Sequence, residues 1–205
     1  MNEQRVVNAK VVGNKGNIWN KILLAIVLVC VGGDDPGTSY QNVLEKDLNL
    51  AIGLELEKEL SKNGASVILT REGDYDLASP NATRRKKSDF DNRIDLINNS
   101  NANVYLSIHI NYLENSSYYG GQIFYYGEDN KKLAEDLQSQ FNKISYPRSI
   151  KPMPNIYMYR RLKVPGVLVE CGFISNKKER EKLITPSYQK EIAKSLTEGL
   201  ILYFT

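Results

Sequence analysis

The chain has 205 residues, of which 41% are hydrophobic, and this is enough to bury a sizeable core in one domain. Its formal net charge of +3 is too small for the electrostatic footprint of a nucleic-acid-binding protein, so no nucleic acid is expected as a partner. The two cysteines, Cys30 and Cys171, form neither a zinc motif nor a disulfide framework, and they fit any compartment.

The longest apolar run is ILLAIVLVCV, residues 22–31, which is well short of the roughly 18 residues that a membrane span needs. Three lysines precede it, so it has two interpretations, the apolar region of an export signal or a buried strand. No A-x-A cleavage site follows the run, and the bulky Val29 precedes Cys30 where a lipoprotein signal carries a small residue. These details favour the strand.

The rest of the chain alternates between helical and strand patterns. Leucine and isoleucine at positions 48, 52, 56 and 60 form the apolar stripe of an amphipathic helix. The patterns predict helices over 45–64, 90–100, 130–141 and 188–204, and strands over 65–70, 103–110, 120–126, 155–159 and 164–173. This order predicts an α/β fold, a single domain with a mixed, mostly parallel sheet and helices on both faces.

Polar residues of catalytic type follow several of the predicted strands. The strand VYLSIHIN ends at His109 and Asn111, and GVLVECGF carries Glu170. Functional sites of open α/β sheets lie at the carboxyl ends of the strands, where Glu45, in the first turn of the first helix, is also expected. Imidazole and carboxylate together suit zinc. Each residue also has a structural interpretation, because Glu45 complements a helix dipole and a single histidine is commonly structural.

Long motifs in the chain resemble a known family. Residues 32–205 contain, in order, GGDDPG, EKDLNLAI, VILTRE, RIDLINNSNANVYLSIHIN, GGQIFYY, VPGVLVECGFISN and YQKEIAKSLTEGLILYF. These are similar to the motifs of the zinc-dependent N-acetylmuramoyl-L-alanine amidases of bacterial cell walls, the amidase_3 family. The loop TREGDYDLASPNATRRKKSDFDNR most resembles the CwlD-type amidases, which act on spore cortex during sporulation and germination.

The resemblance implies a hydrolase that cleaves peptidoglycan at the amide between muramic acid and L-alanine, with Zn²⁺ as its cofactor. By that pattern Glu45 and His109 are zinc ligands and Glu170 is the catalytic general base. Asn111 and Arg93 are weaker candidates for substrate binding. A structural ion pair is the favoured interpretation of Arg93.

The pattern breaks at the first zinc ligand. The family has a D-x-G-H-G-G turn, where this chain has Leu28 for the aspartate, Cys30 for the glycine and Val31 for the histidine. Valine cannot bind a metal. Strand alternation predicts that Cys30 points to the face opposite position 31, and Asp34 and Asp35 lie beyond the turn, so none of them is expected to replace the missing ligand.

The mismatch divides the chain into a poorly matching segment, 1–21, and an amidase-like domain, 22–205. Everything before Gly32 matches poorly, so a recent local change in the gene, such as a frameshift or a misassigned start, is one hypothesis for residues 1–31. The expected location is exported or in the cell envelope, on the forespore or cortex side, with membrane anchoring left open. An accessory protein and a homodimer both remain open as partners. The alternative function is a catalytically impaired protein that binds the wall or a partner, while a zinc carboxypeptidase is disfavoured because its motifs differ.

Overall fold

The computed structural model describes residues 23–205, so the predicted segment 1–21 lies outside the described residues. The described part contains eight strands, β1–β8, and five helices, α1–α5. The strands are β1 Leu24–Val29, β2 Ser39–Tyr40, β3 Val43–Leu44, β4 Ser66–Leu69, β5 Val104–Asn111, β6 Gln122–Tyr125, β7 Lys151–Pro152 and β8 Gly166–Phe173. The helices are α1 Glu45–Lys62, α2 Arg85–Asn98, α3 Lys131–Phe141, α4 Lys177–Leu183 and α5 Pro186–Phe204.

Six of these strands form one sheet, in the order β4-β1-β5-β8-β6-β7. All neighbours in it are parallel except β6 and β8, which are antiparallel. The predicted fold class is therefore confirmed. The run over residues 22–31 contributes the buried strand β1, as the strand interpretation predicts, because its side chains are apolar on both faces. The predicted strand over 155–159 is wrong, since this segment forms turns and leads into a 3₁₀ helix at Tyr159–Arg161.

Helices cover both faces of the sheet. Leu106 and Ile108 of β5 point into a core layer shared with α1, α3, α4 and α5, whereas Tyr105 points into a second layer with α2 and the 3₁₀ helix. This alternation sets the direction of every polar side chain on the same strand. None of the helices in the described part is long and apolar enough to cross a membrane.

Candidate active site

Parallel pairing brings three polar positions side by side at the carboxyl end of the sheet. His109 of β5 pairs with Glu170 of β8. On the other side of β5, Val29 pairs with Ile108, so Cys30 follows next to His109. Because paired residues on parallel strands point to the same face, these three side chains share the face that α2 covers. The predicted His109 and Glu170 are thus brought together by register alone.

Glu45 reaches the same place from the first residue of α1. Its Oε1 lies 2.9 Å from Nδ1 of His109, and its Oε2 accepts a hydrogen bond of 2.8 Å from the backbone N–H of Thr38. The side chain of Asn49, one turn later, donates to Oε1 at 3.3 Å. Burial acts to raise the pKa of the Glu45 carboxyl, but these donors outweigh it and the pKa is lowered. Glu45 is therefore held as a carboxylate facing the imidazole.

Glu170 has the environment of a general base. Its Oε2 is buried and has no hydrogen-bond partner among the described residues, which is costly unless the atom has a task. Burial raises the pKa of Glu170 to about 7, with the neighbouring His109 opposing the shift and Glu45 adding to it. A base whose pKa lies near the working pH accepts and returns a proton most effectively.

The structure adds Tyr159 to the site, a residue that the sequence analysis did not identify. Its hydroxyl lies 3.0 Å from Nε2 of His109 and 2.9 Å from the hydroxyl of Ser107. Both imidazole nitrogens therefore have partners, Glu45 on one side and Tyr159 on the other. No sequence motif marks Tyr159, because it lies in the segment that the sequence pattern wrongly predicts as a strand.

Cys30 lies on the face of the site beside His109, although it is not part of any group of three metal-binding side chains among the described residues. The buried thiol contacts Ser107 at 3.0 Å and interacts with the ring of His109. Burial acts to raise the pKa of the thiol, but His109 and Arg93 outweigh it and the pKa is lowered. This position continues the register in which Val29 of β1 pairs with Ile108, and the unusual backbone begins only at Val31.

The turn that follows has an unusual backbone at the position of the missing ligand. Val31 has a φ of 51°, in the left-handed region that β-branched residues rarely adopt. The buried guanidinium of Arg71 fixes this turn, because its Nε donates to the Val31 carbonyl at 2.6 Å and its Nη1 to the Gly73 carbonyl at 2.8 Å. The turn therefore keeps its shape although its side chain cannot bind a metal.

The side chains of Glu45 and His109 are of the types that bind zinc, and together they would supply two protein ligands. A carboxylate and an imidazole 2.9 Å apart, as in Glu45 and His109, are close enough to bind one ion. Among residues 23–205, no three His, Cys, Asp or Glu side chains are arranged to share a metal ion. Val31 stands at the position where the family resemblance implies a third ligand.

The two weaker candidates lie in different surroundings. Arg93 is 1% exposed, forms an ion pair of 2.8 Å with Asp89, and donates to the Val29 carbonyl at 2.8 Å. This arrangement matches the structural ion pair that the sequence analysis favours, and it places Arg93 beneath the site. Asn111 is half-buried at the end of β5, where its backbone carbonyl accepts a hydrogen bond of 2.9 Å from the backbone N–H of Ile174.

Comparison with known proteins identifies the family and the fold of this chain. A model of the N-acetylmuramoyl-L-alanine amidase family Amidase_3 matches residues 26–201. The chain is 40% identical to the germination-specific N-acetylmuramoyl-L-alanine amidase of Bacillus subtilis over 85% of this chain and 76% of that protein. The solved CwlD amidase of Clostridioides difficile, in complex with the GerS lipoprotein, superposes with a TM-score of 0.84 at 38% identity, covering 88% of this chain and 98% of that one. The catalytic domain of CwlV, an N-acetylmuramoyl-L-alanine amidase from Bacillus (Paenibacillus) polymyxa var. colistinus, gives a TM-score of 0.79 at 27% identity over 89% and 98% of the two chains.

Proposed function

Because the chain belongs to the N-acetylmuramoyl-L-alanine amidase family, whose members are peptidoglycan hydrolases, we propose that it is a zinc-dependent amidase of spore-cortex peptidoglycan. One observation carries the proposal, the convergence of Glu45, His109 and Glu170 at one end of the sheet. The 40% identity to a germination-specific relative supports the cortex as the substrate.

In this proposal Glu45 and His109 would hold the zinc ion, which when bound would polarise the scissile carbonyl and acidify a water molecule. Glu170 accepts the proton of the attacking water and passes it to the amine of the leaving L-alanine. Tyr159 and Ser107 keep the His109 ring in its orientation from the side opposite Glu45. With one protein ligand fewer than zinc hydrolases use, we expect weak zinc binding and slow turnover.

The proposed location is the cell envelope, on the cortex side of the forespore. The solved CwlD relative forms a complex with a lipoprotein, and we propose an accessory protein of that kind as a partner of this chain. Such a partner offers a route to the membrane that needs no transmembrane helix in the amidase itself. Co-purification with the lipoprotein from the same organism, followed by measurement of the zinc content with and without it, tests this part of the proposal.

The experiment for the function has two measurements on the purified chain, zinc stoichiometry and release of the stem peptide, with a free amino group on its L-alanine, from cortex muropeptides. We expect bound zinc and hydrolysis that stops when the metal is chelated. If the chain binds muropeptides but shows neither zinc nor hydrolysis, it is instead the impaired wall-binding homologue that the loss of the histidine at Val31 favours.

A further inference from the structure

One buried side chain links the candidate active site to the end of β1. Asn49, four residues after Glu45 on α1, is 0% exposed. Its Nδ2 donates a hydrogen bond of 3.1 Å to the Cys30 carbonyl and one of 3.3 Å to Oε1 of Glu45. A single amide therefore contacts both the backbone that leads to position 31 and the carboxylate proposed to bind zinc.

The two contacts require a side chain with two donors. A backbone carbonyl and a carboxylate only accept hydrogen bonds, and the NH₂ group of asparagine supplies two N–H donors. An ionised aspartate has the same shape but no donor, and the hydroxyl of serine or threonine has one. The position of Asn49 therefore needs a pair of donors, and a polar side chain of matching size is not enough.

The other half of the amide is left without a partner. Oδ1 of Asn49 is buried and accepts no hydrogen bond within residues 23–205. Rotating the amide by half a turn would place Oδ1 against the Cys30 carbonyl and the Glu45 carboxylate, which are acceptors themselves. An unsatisfied buried polar atom lowers stability. Packing alone would favour an apolar residue such as the neighbouring Ile52, so the two donors are the reason for an asparagine here.

Helix α1 lies close enough to β1 for this short side chain to reach the strand. Gly53, one turn after Asn49, faces Val29, and a Cβ placed on the glycine would lie 2.6 Å from Cγ2 of Val29. A larger residue would push the helix away from the strand, because the branched side chain of valine has little freedom to move. The glycine thus permits the separation at which Asn49 contacts the Cys30 carbonyl.

The amide contacts the oxygen of Glu45 that faces the histidine. Oε1, which accepts from Asn49, is also the atom that lies 2.9 Å from Nδ1 of His109. The Cys30 carbonyl belongs to the peptide bond of Val31, the position where the family resemblance implies a ligand. Asn49 therefore directs Oε1 toward His109 and fixes the place of Glu45 relative to residue 31.

From these contacts we propose that Asn49 is a positioning residue of the candidate metal site, which holds Glu45 against His109. It acts through Glu45 and is not itself a ligand. The proposal deepens the zinc amidase function, and only its effect on zinc binding rests on that function. The contact between Glu45 and His109 is present without a metal, so the positioning role can be measured separately.

The test uses the single histidine of the chain, because the ring signals of untagged, ¹⁵N-histidine-labelled protein come from His109 alone. We expect the metal-free parent to show a downfield ring N–H proton, since Nδ1 faces a carboxylate at 2.9 Å. Asn49→Leu keeps the branching of the side chain and removes both donors. Its ring N–H signal should move upfield or disappear at the same pH. Zinc affinity, measured by competition with a chromophoric chelator, should fall by about tenfold or more.

The matched control is Leu56→Ala, which shortens another fully buried side chain of α1, two turns further from Glu45. It should lower the midpoint of urea unfolding and keep the ring signal and the zinc affinity of the parent. If Asn49→Leu does not fold, Asn49→Ala fits the same space and gives the same comparison.

The outcomes separate the positioning role from the function. A parental ring N–H signal or a parental zinc affinity in the Asn49 variant would overturn the role. Equal losses in the Asn49 variant and in Leu56→Ala would also overturn it, because they would follow from a general loosening of α1. The expected change in the ring signal, in a chain that binds no zinc, would leave Asn49 as the residue that positions Glu45 and would refute the zinc-dependent function.

Discussion

Gly37 lies against the carboxylate of Glu45, and replacing it with alanine tests the candidate active site without substituting any of its polar residues. The glycine has a φ of +67°, and a Cβ placed on it would lie 2.4 Å from Oε2, 2.9 Å from Cδ and 3.0 Å from Cβ of Glu45. The Cβ of Glu45 is fixed by the helix backbone, so the carboxylate has to rotate away. That rotation breaks its contacts with Thr38 and His109.

The cost of Gly37→Ala has two parts. The left-handed backbone costs about 1–2 kcal/mol for a residue with a Cβ. Losing hydrogen bonds to a charged, buried carboxylate adds about 1.5–3 kcal/mol. The expected decrease in the free energy of unfolding is therefore roughly 2.5–5 kcal/mol. Since Glu45 is a proposed zinc ligand as well as the partner of His109, zinc affinity and amidase activity should fall by at least about tenfold.

Gly127 provides the control, because it has a similar φ of +79° but no heavy atom within 4 Å of a built Cβ. Gly127→Ala should lose only the backbone part, about 1–2 kcal/mol, and keep the activity of the parent. Urea unfolding with linear extrapolation and muropeptide hydrolysis measure the two effects. Equal destabilisation of both variants with parental activity in Gly37→Ala would show that Glu45 is not held against His109 as the structure has it.

Three further predictions concern single side chains. Glu170→Gln should reduce kcat by about 10²–10⁴-fold in a muropeptide assay while titrated zinc affinity is retained, and turnover within a few-fold of the parent would refute its role as general base. Tyr159→Phe removes the partner of His109 Nε2 and should cost about 1–3 kcal/mol in urea unfolding, and an unchanged midpoint would contradict the hydrogen bond. The pKa of Asp91 is held well below its usual range by hydrogen bonds from Lys87, Tyr157 and Arg161. The ionised carboxylate therefore stabilises the fold at pH values above its unfolded pKa of about 3.9. This stabilisation is lost progressively as the pH falls from there towards the lower pKa of the folded state. Asp91→Asn should therefore reduce the difference in stability between pH 6 and pH 3, and a difference as large as in the parent would refute this.

The helices and strands that could be predicted from sequence are those whose apolar residues are the ones buried in the structure. The residues of α1 spaced four apart form one buried stripe, and the continuous apolar run of β1 is buried on both faces of the sheet, as predicted. The segment at 155–159 misled the prediction because its alternation of aromatic and apolar residues resembles a strand. In the structure Tyr157 instead bonds to Asp91 and Tyr159 to His109, so tertiary contacts decide its conformation.

Within the site, the sequence could supply residue types but not the neighbours that set their chemistry. Glu170 and His109 are paired because of strand register, which the sequence leaves undetermined because both strands are buried on both faces. Cys30 lies beside His109 because Val29 pairs with Ile108 and the register continues for one residue beyond β1. Contacts of this kind depend on which residues of neighbouring strands are paired, and a pattern of apolar residues does not define that pairing.

Restoring the family histidine is the sharpest test of the missing ligand. Position 31 has a φ of 51°, a region where β-branched residues are outliers and histidine is among the enriched types, so Val31→His should not lower stability. It supplies a third donor beside Glu45 and His109, and zinc affinity should rise substantially. Hydrolysis should stay poor, because Leu28 and Cys30 still depart from the D-x-G-H turn and losing an orienting partner typically costs about 10–100-fold.

The triple variant with Leu28→Asp and Cys30→Gly should both bind zinc and hydrolyse well. The structure gives a physical reason for the added aspartate, since Leu28 lies in the core layer that α2 covers and Nη2 of Arg93, on α2, is buried without a hydrogen-bond partner among the described residues. The glycine removes a thiol that interacts with His109 and leaves the ring free for the metal. Zinc titration and the amidase assay on parent, single and triple variants measure both properties. If the parent chain already binds one zinc as tightly as the triple variant, the chain has a third ligand, and the assignment of residues 28–31 to the D-x-G-H turn is wrong.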